Sequence, residues 1–215
     1  MATEQPTVLR TMTLVILVAC GAAVLVAATH EWSRDRIAAN ERQRLLGRLR
    51  SVVERLPDAQ LFEPIEAPIE ASESDATAPT DAFLMVVGDE PRALVLAATA
   101  PDGYNAPIRL LVGIDVDGTV TGVRVIGHRE TPGLGDAIEI AKSNWIEQFV
   151  GTSLSEPAIW SVDKDGGTFD SLTGATVTPR AVVAAVHRTL QYYASHREEL
   201  MTSAQSDPSR GATDE

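Results

Sequence analysis

A chain of 215 residues has room for one ordinary domain and some appended segments, since domains run about 100 to 200 residues. Its formal net charge of -12 excludes nucleic-acid binding, because neutralising phosphates needs clustered Lys and Arg rather than an excess of carboxylates. Cys20 is the only cysteine, which excludes a disulfide framework, a cysteine zinc site and a protein-held iron–sulfur cluster within the chain; redox chemistry here needs an organic cofactor.

Residues 1–12 lead into the uncharged run TLVILVACGAAVLVAAT, Thr13 to Thr29, bracketed by Arg10 and Glu31. That length is at the short end of what crosses a bilayer as a helix, so a transmembrane helix is predicted over 13–30. A cleaved secretory signal competes with it, and Leu17-Val18-Ala19-Cys20 resembles a lipobox, at which a lipoprotein is cut and lipidated on cysteine. The apolar run continues past Cys20 to Ala28, whereas a lipobox cysteine normally ends it, which favours the uncleaved helix. Arg10 and the amino terminus precede the run, against Arg34, Arg36, Arg42 and Arg44 after it; charge alone therefore puts the C-terminal part in the cytoplasm.

Residues 31–56 read as an amphipathic helix, with Ile37, Leu45, Leu46, Leu49, Val52 and Val53 among arginines and glutamates. Residues 57–81, rich in Pro, Ala, Glu, Ser and Thr, read as an acidic linker. A folded domain is predicted over 82–200. It starts with two buried strands, FLMVV and ALVLAAT, separated by Gly88-Asp89-Glu90-Pro91. In the clearest hairpin, Ile108, Leu110, Val112, Ile114 and Val116 alternate, Asp117-Gly118 turns, and Val120 to Ile126 returns. Gly113 and Gly122 are candidate bulges.

From Asp136 to Val150 the spacing of Ile138, Ala141, Trp145 and Phe149 predicts a helix, and Ala158 to Val162 a short strand. In the last helix Thr178 is the expected cap and Pro179 suits the first turn; Val182, Val183, Val186, Leu190 and Tyr193 form the stripe that packs on the sheet. Residues 201–215 read as a disordered tail. The predicted fold is α+β, a mixed sheet with packed helices behind one N-terminal transmembrane helix.

Chemistry concentrates in Asp170-Ser171-Leu172-Thr173-Gly174-Ala175-Thr176, just ahead of the last helix. Small, hydroxyl-bearing and glycine residues at a helix N-terminus suit an anion such as phosphate, because free N–H groups and the macrodipole point there. A tight turn feeding a helix is the better explanation of Thr173–Thr176 when those residues stand alone. The full run, however, matches the D-x-x-[ST]-G-A-T signature of proteins flavinylated on threonine by the periplasmic flavin transferase. The resemblance implies that Thr176 is esterified to the phosphate of FMN transferred from FAD, with Asp170, Leu172, Thr173, Gly174 and Ala175 as cofactor-binding neighbours.

A second run, His128-Arg129-Glu130-Thr131-Pro132-Gly133-Leu134-Gly135, resembles the H-x-E-T-P-G-L-G segment of the G subunit of the Rnf electron-transport complex, and is related to the C subunit of the sodium-pumping quinone reductase. Similarity continues through Lys142, Trp145, Phe149, Trp160-Ser161-Val162 and Asp165 to Asp170, and covers most of the chain outside Pro57 to Ala78. It implies that Glu130, Thr131, Leu134 and Gly135 contact the flavin, Gly133 and Gly135 allowing close backbone approach. It further implies an electron-carrier subunit of an ion-translocating complex in the bacterial inner membrane, single-pass, with its C-terminal domain periplasmic, opposite to the charge rule. Implied partners are an integral flavinylated subunit, an iron–sulfur subunit, an NAD-handling subunit and the flavin transferase.

Other motifs carry less. Gly133-Leu134-Gly135 has Ile138 where a dinucleotide fingerprint needs its third glycine. Asp115-Val116-Asp117 and Asp163-Lys164-Asp165 lack the remaining ligands of a calcium loop and read as turns. His128 reads as a hydrogen-bonded histidine, with proton donation the sharper alternative, and His187 and His196 are too far apart on a helix to share a metal. No residue marks a substrate pocket, so no stand-alone reaction is assigned. Two other readings are a membrane-tethered redox sensor and a lipoprotein-anchored flavoprotein serving an extracellular reductase.

Overall fold

The computed structural model describes residue 12 and residues 14–23, 43–56, 63–67, 78–88 and 90–205. The chain divides into two units at Leu45/Leu46. In the first, residues 14–23 are helical, and Leu14 to Val18 are exposed. The rest of the predicted span, Thr13 and 24–30, lies outside the described residues, as do residues 31–42 of the predicted amphipathic helix. Among the described residues no helix is long and apolar enough to cross a membrane.

The second unit is built on one sheet whose strands neighbour one another in sequence order: β1 Glu63–Ala67, β2 Asp81–Val87, β3 Glu90–Ala100, β4 Ile108–Asp115 and β5 Val120–Gly127. Every pairing is antiparallel, so the predicted mixed sheet is corrected to a pure meander; short connections can join only antiparallel neighbours. β1 lies in the stretch read as a linker. It pairs Glu63 with Val86 through Ala67 with Ala82, a contact made by backbone groups and therefore silent in a side-chain pattern.

Alternation sorts the side chains to two faces. Leu84, Val86, Leu94, Leu96, Ala98, Ile108, Leu110, Val112 and Val123 share a core with Val182, Val183, Val186, Leu190 and Tyr193 of the last helix, here α2 (Val177–Gln205). Met85, Ala93, Val95, Ala97 and Leu111 point the other way, onto Leu49, Val52 and Val53 of helix α1 (residues 43–53). β3 is covered on both sides, which is why ALVLAATA reads as an unbroken apolar run.

The two glycines predicted to mark bulges sit face to face, Gly113 against Gly122, and the register shifts beside them, passing over Thr121. Their missing side chains admit the end of α1. A Cβ at Gly122 would lie 2.6 Å from the Val52 carbonyl oxygen, and one at Gly113 2.8 Å from it. The Thr121 hydroxyl donates to that oxygen at 2.7 Å, satisfying a carbonyl that the helix end leaves without an intrahelical partner. Beside it Arg124 donates to Glu147 (2.9 Å) and Glu54 (3.2 Å), and Arg55 also pairs with Glu147.

Three further expectations are corrected. Asp136 to Val150 forms two 3-10 turns, Gly135–Ile138 and Trp145–Phe149, instead of a helix. Ser143 between them donates to the Ala137 carbonyl at 2.6 Å and accepts the Trp145 N–H at 3.1 Å, offering the backbone partners that a helix would have supplied. Ala158 to Val162 is no strand; a single bridge joins Val162 to Phe169. The tail predicted from Met201 is corrected at its start, because Leu200 and Met201 still pack on the core and α2 runs to Gln205; residues 206–215 lie outside the described residues.

Candidate flavin site

A cleft of about 330 Å³ opens where three connections converge on the N-terminus of α2. Its lining comes from Tyr104 in the β3–β4 connection, from Glu130, Thr131, Leu134 and Gly135 after β5, and from Gly174 to Thr178. The two sequence runs singled out for chemistry thus meet in space.

The segment after β5 is wound around a single acceptor: the Thr131 carbonyl receives the N–H groups of Leu134 (3.2 Å), Gly135 (3.1 Å) and Asp136 (3.4 Å). Gly133 takes φ +77°, a backbone region that side chains disfavour, and donates its N–H to buried Asp136 at 2.8 Å. The Glu130 carboxyl is 4% exposed and bridges two cleft walls. It accepts the Asn105 N–H at 3.2 Å and the Thr178 hydroxyl. The Glu130 N–H donates to His128 Nδ1 at 3.0 Å, which puts the ring proton on Nε2, facing Glu139 at 2.9 Å.

Thr176 is exposed and immediately precedes Val177, the first residue of α2, so its hydroxyl stands beside the free N–H groups of a 29-residue helix. No acidic residue occupies that helix's first turn. Thr178, expected to cap the helix, sits inside the first turn, and its hydroxyl is spent on Glu130. Gly174 turns the loop at φ +78°, and a Cβ there would meet Leu134 Cδ2 at 2.8 Å. Gly135 is equally confined: a Cβ would lie 2.9 Å from Thr178 Oγ1.

The remaining predicted residues support the loop and do not line the cleft. Leu172 is buried in the core, and its carbonyl accepts the Ala175 N–H at 3.2 Å. Asp170 is held by its backbone, between Trp145 and Gln148. Thr173 is exposed. The Ser171 hydroxyl donates to Asp163 and, with the Lys164 N–H, holds that carboxyl below its usual range. Arg180 forks onto Asp165 at 2.6 and 2.7 Å, lowering the Asp165 pKa and raising its own.

Sequence reasoning missed Tyr104, Val177 and Thr178 as lining residues. Tyr104 had one available signal, a lone aromatic among the turn-forming Asp102, Gly103 and Asn105.

Residues 103–191 match the family model of the FMN-binding domain, a stretch that holds β4, β5, the first half of α2 and every residue lining the cleft. The G subunit of the ion-translocating oxidoreductase complex of Pseudomonas aeruginosa (strain UCBPP-PA14) is 42% identical over 206 residues, covering 93% of this chain and 95% of the relative. The corresponding G subunits of Aliivibrio fischeri (strain MJ11) and Vibrio atlanticus are 43% and 41% identical, covering 86% and 85% of this chain and 90% and 88% of their own. The chain belongs to the family of G subunits of Rnf-type ion-translocating oxidoreductase complexes.

Proposed function

We propose that this protein is a membrane-anchored electron carrier holding FMN through a phosphoester on Thr176, as one component of an Rnf-type ion-translocating complex. The observation that carries the reading is positional: Thr176 is the exposed hydroxyl at the mouth of a cleft into which the Glu130–Gly135 segment folds. The glycines support this reading, because at Gly174 and Gly135 a side chain would strike Leu134 and Thr178, and their absence lets the two motif segments close on each other around the cleft.

In the attachment step a flavin transferase joins the Thr176 oxygen to the riboflavin-side phosphorus of FAD. The P–O bond to AMP breaks, and the hydroxyl proton is released. The α2 N–H groups and macrodipole favour the resulting phosphate charge. Leu134 and Val177 offer apolar surface to the ring, while Glu130 and Asn105 hold the walls of the cleft in register. Bound FMN supplies the reversible electron chemistry; the protein sets its position, potential and access.

Helical, exposed, apolar residues 14–18 support the anchor, and the whole run Thr13 to Thr29 carries no charge. In this reading the anchor is a single pass in the bacterial inner membrane with the C-terminal domain periplasmic, where a covalent bond keeps the flavin from being lost. Its partners are then an integral flavinylated subunit, an iron–sulfur subunit and an NAD-handling subunit.

The test is a denaturing gel viewed under ultraviolet light, with the transferase co-expressed outside the cytoplasm. The wild-type band fluoresces and Thr176→Ala is dark; a fluorescent Thr176→Ala band refutes the attachment site. Reporter fusions after Glu31 and at the C-terminus read the topology, and two cytoplasmic signals refute the periplasmic placement.

A further inference from the structure

Tyr104 has no part in the attachment chemistry, yet among the described residues it is the only aromatic side chain lining the cleft. It is 66% exposed, and two other lining side chains, Leu134 and Val177, are 43% and 39% exposed. Single exposed apolar residues are ordinary. Three around one cleft, each from a different element, form a contiguous patch that asks for a covering ligand.

The backbone that presents Tyr104 is fixed. A side chain at Gly103 would strike the Ala106 carbonyl oxygen, so the turn is too tight for any residue but glycine. Asn105 ties the loop to the segment after β5, its N–H reaching Glu130 at 3.2 Å and its amide donating to the Arg129 carbonyl at 2.9 Å and Thr131 Oγ1 at 3.4 Å. Neighbours on both sides are thus anchored while the phenol ring stands free at the cleft rim. A rigidly mounted, solvent-facing aromatic face suits a planar, aromatic ligand.

We propose that Tyr104 stacks on the isoalloxazine ring as the outer wall of the cleft, with Leu134 and Val177 supplying aliphatic contact. This rests on the FMN reading above and assigns Tyr104 as a positioning residue. The phosphoester holds one end of the cofactor and the phenol ring the other, leaving the polar tyrosine tip toward water.

The experiment measures the fluorescence lifetime of the attached flavin in the full-length protein, with intact mass confirming one FMN per chain. A tyrosine stacked on an excited flavin quenches it by electron donation, so wild type has a short lifetime. Tyr104→Leu and Tyr104→Phe lengthen it severalfold, while Tyr104→Trp, which restores a donor, keeps it short. Phenylalanine preserves the ring's shape, so a folding defect in the leucine variant leaves the test intact. Equal lifetimes in wild type and Tyr104→Phe, with FMN present on both, overturn the stacking and leave the attachment standing. A wild-type mass equal to the bare polypeptide, from cells that hold active transferase, overturns both.

Discussion

The indole N–H of Trp145 donates to the backbone carbonyl of Asp170 at 2.7 Å. The Asp170 N–H in turn donates to Gln148 Oε1 at 2.7 Å, so one 3-10 turn holds both backbone polar groups of the residue that opens the Asp170–Thr176 loop. The same turn carries Glu147, the partner of Arg55 and Arg124. A continuous set of polar contacts therefore runs from the end of α1 to the loop that delivers Thr176.

Trp145→Phe retains an aromatic ring beside Phe149 (5.6 Å, 80° in the wild type) while deleting the donor and part of the buried indole. Losing one such bond costs about 1 kcal/mol. The expected result is a fall of roughly fivefold in hydrogen-exchange protection across 170–176. Unchanged protection there means that the bond does not hold the loop.

Glu130→Ala leaves the Thr178 hydroxyl, 1% exposed, and the Asn105 N–H without their acceptor. An orphaned buried donor costs about 1–3 kcal/mol and the part-buried Asn105 N–H less, so urea unfolding should show a loss of roughly 2–3 kcal/mol. Glu130→Gln retains one acceptor and should lose about half as much.

Gly122→Ala puts a methyl 2.6 Å from the Val52 carbonyl oxygen, where backbone must give way. Overpacking of this kind costs about 1–3 kcal/mol. Thermal melting should fall, and exchange should quicken at residues 49–53 before it does so in β4. Equal quickening in both places would mean that α1 and the sheet open together.

His187 stacks flat on Trp160, rings 5.1 Å apart and 7° from parallel, and burial with nearby Arg188 pushes its pKa below the ordinary 6.5. Between the folded pKa and 6.5 the unfolded chain binds the extra proton, so stability rises with pH through that window. Above 6.5 both states are neutral and the contribution is level. Wild type should lose stability as pH drops below 6.5, and His187→Gln should flatten that slope; identical slopes by chemical denaturation refute it.

How much could be read in advance follows from the range of each interaction. The hairpin at Asp117-Gly118 and the stripe from Val182 to Tyr193 were legible because alternation and helical spacing are local. The Asp170–Thr176 and His128–Gly135 runs were legible as motifs, and the structure draws both to one cleft. β1 was hidden because backbone pairing recruits it. The turns at Gly135–Ile138 and Trp145–Phe149 were hidden because Ser143 outcompetes a helix whose apolar spacing looked sound. Tyr104 and the hold of Trp145 on Asp170 depend on contacts between distant parts of the chain, which no window of neighbouring residues records.

The meander order of the sheet also bears on how the domain is born. β2 to β5 follow one another across short connections, so their pairing closes only small loops and costs little chain entropy. The cleft is the reverse, drawing Tyr104, Glu130 and Thr176 together from across the domain. A growing chain can pair all its strands while Thr176 is still unsynthesised. The cleft thus cannot be completed until the whole sheet has been made.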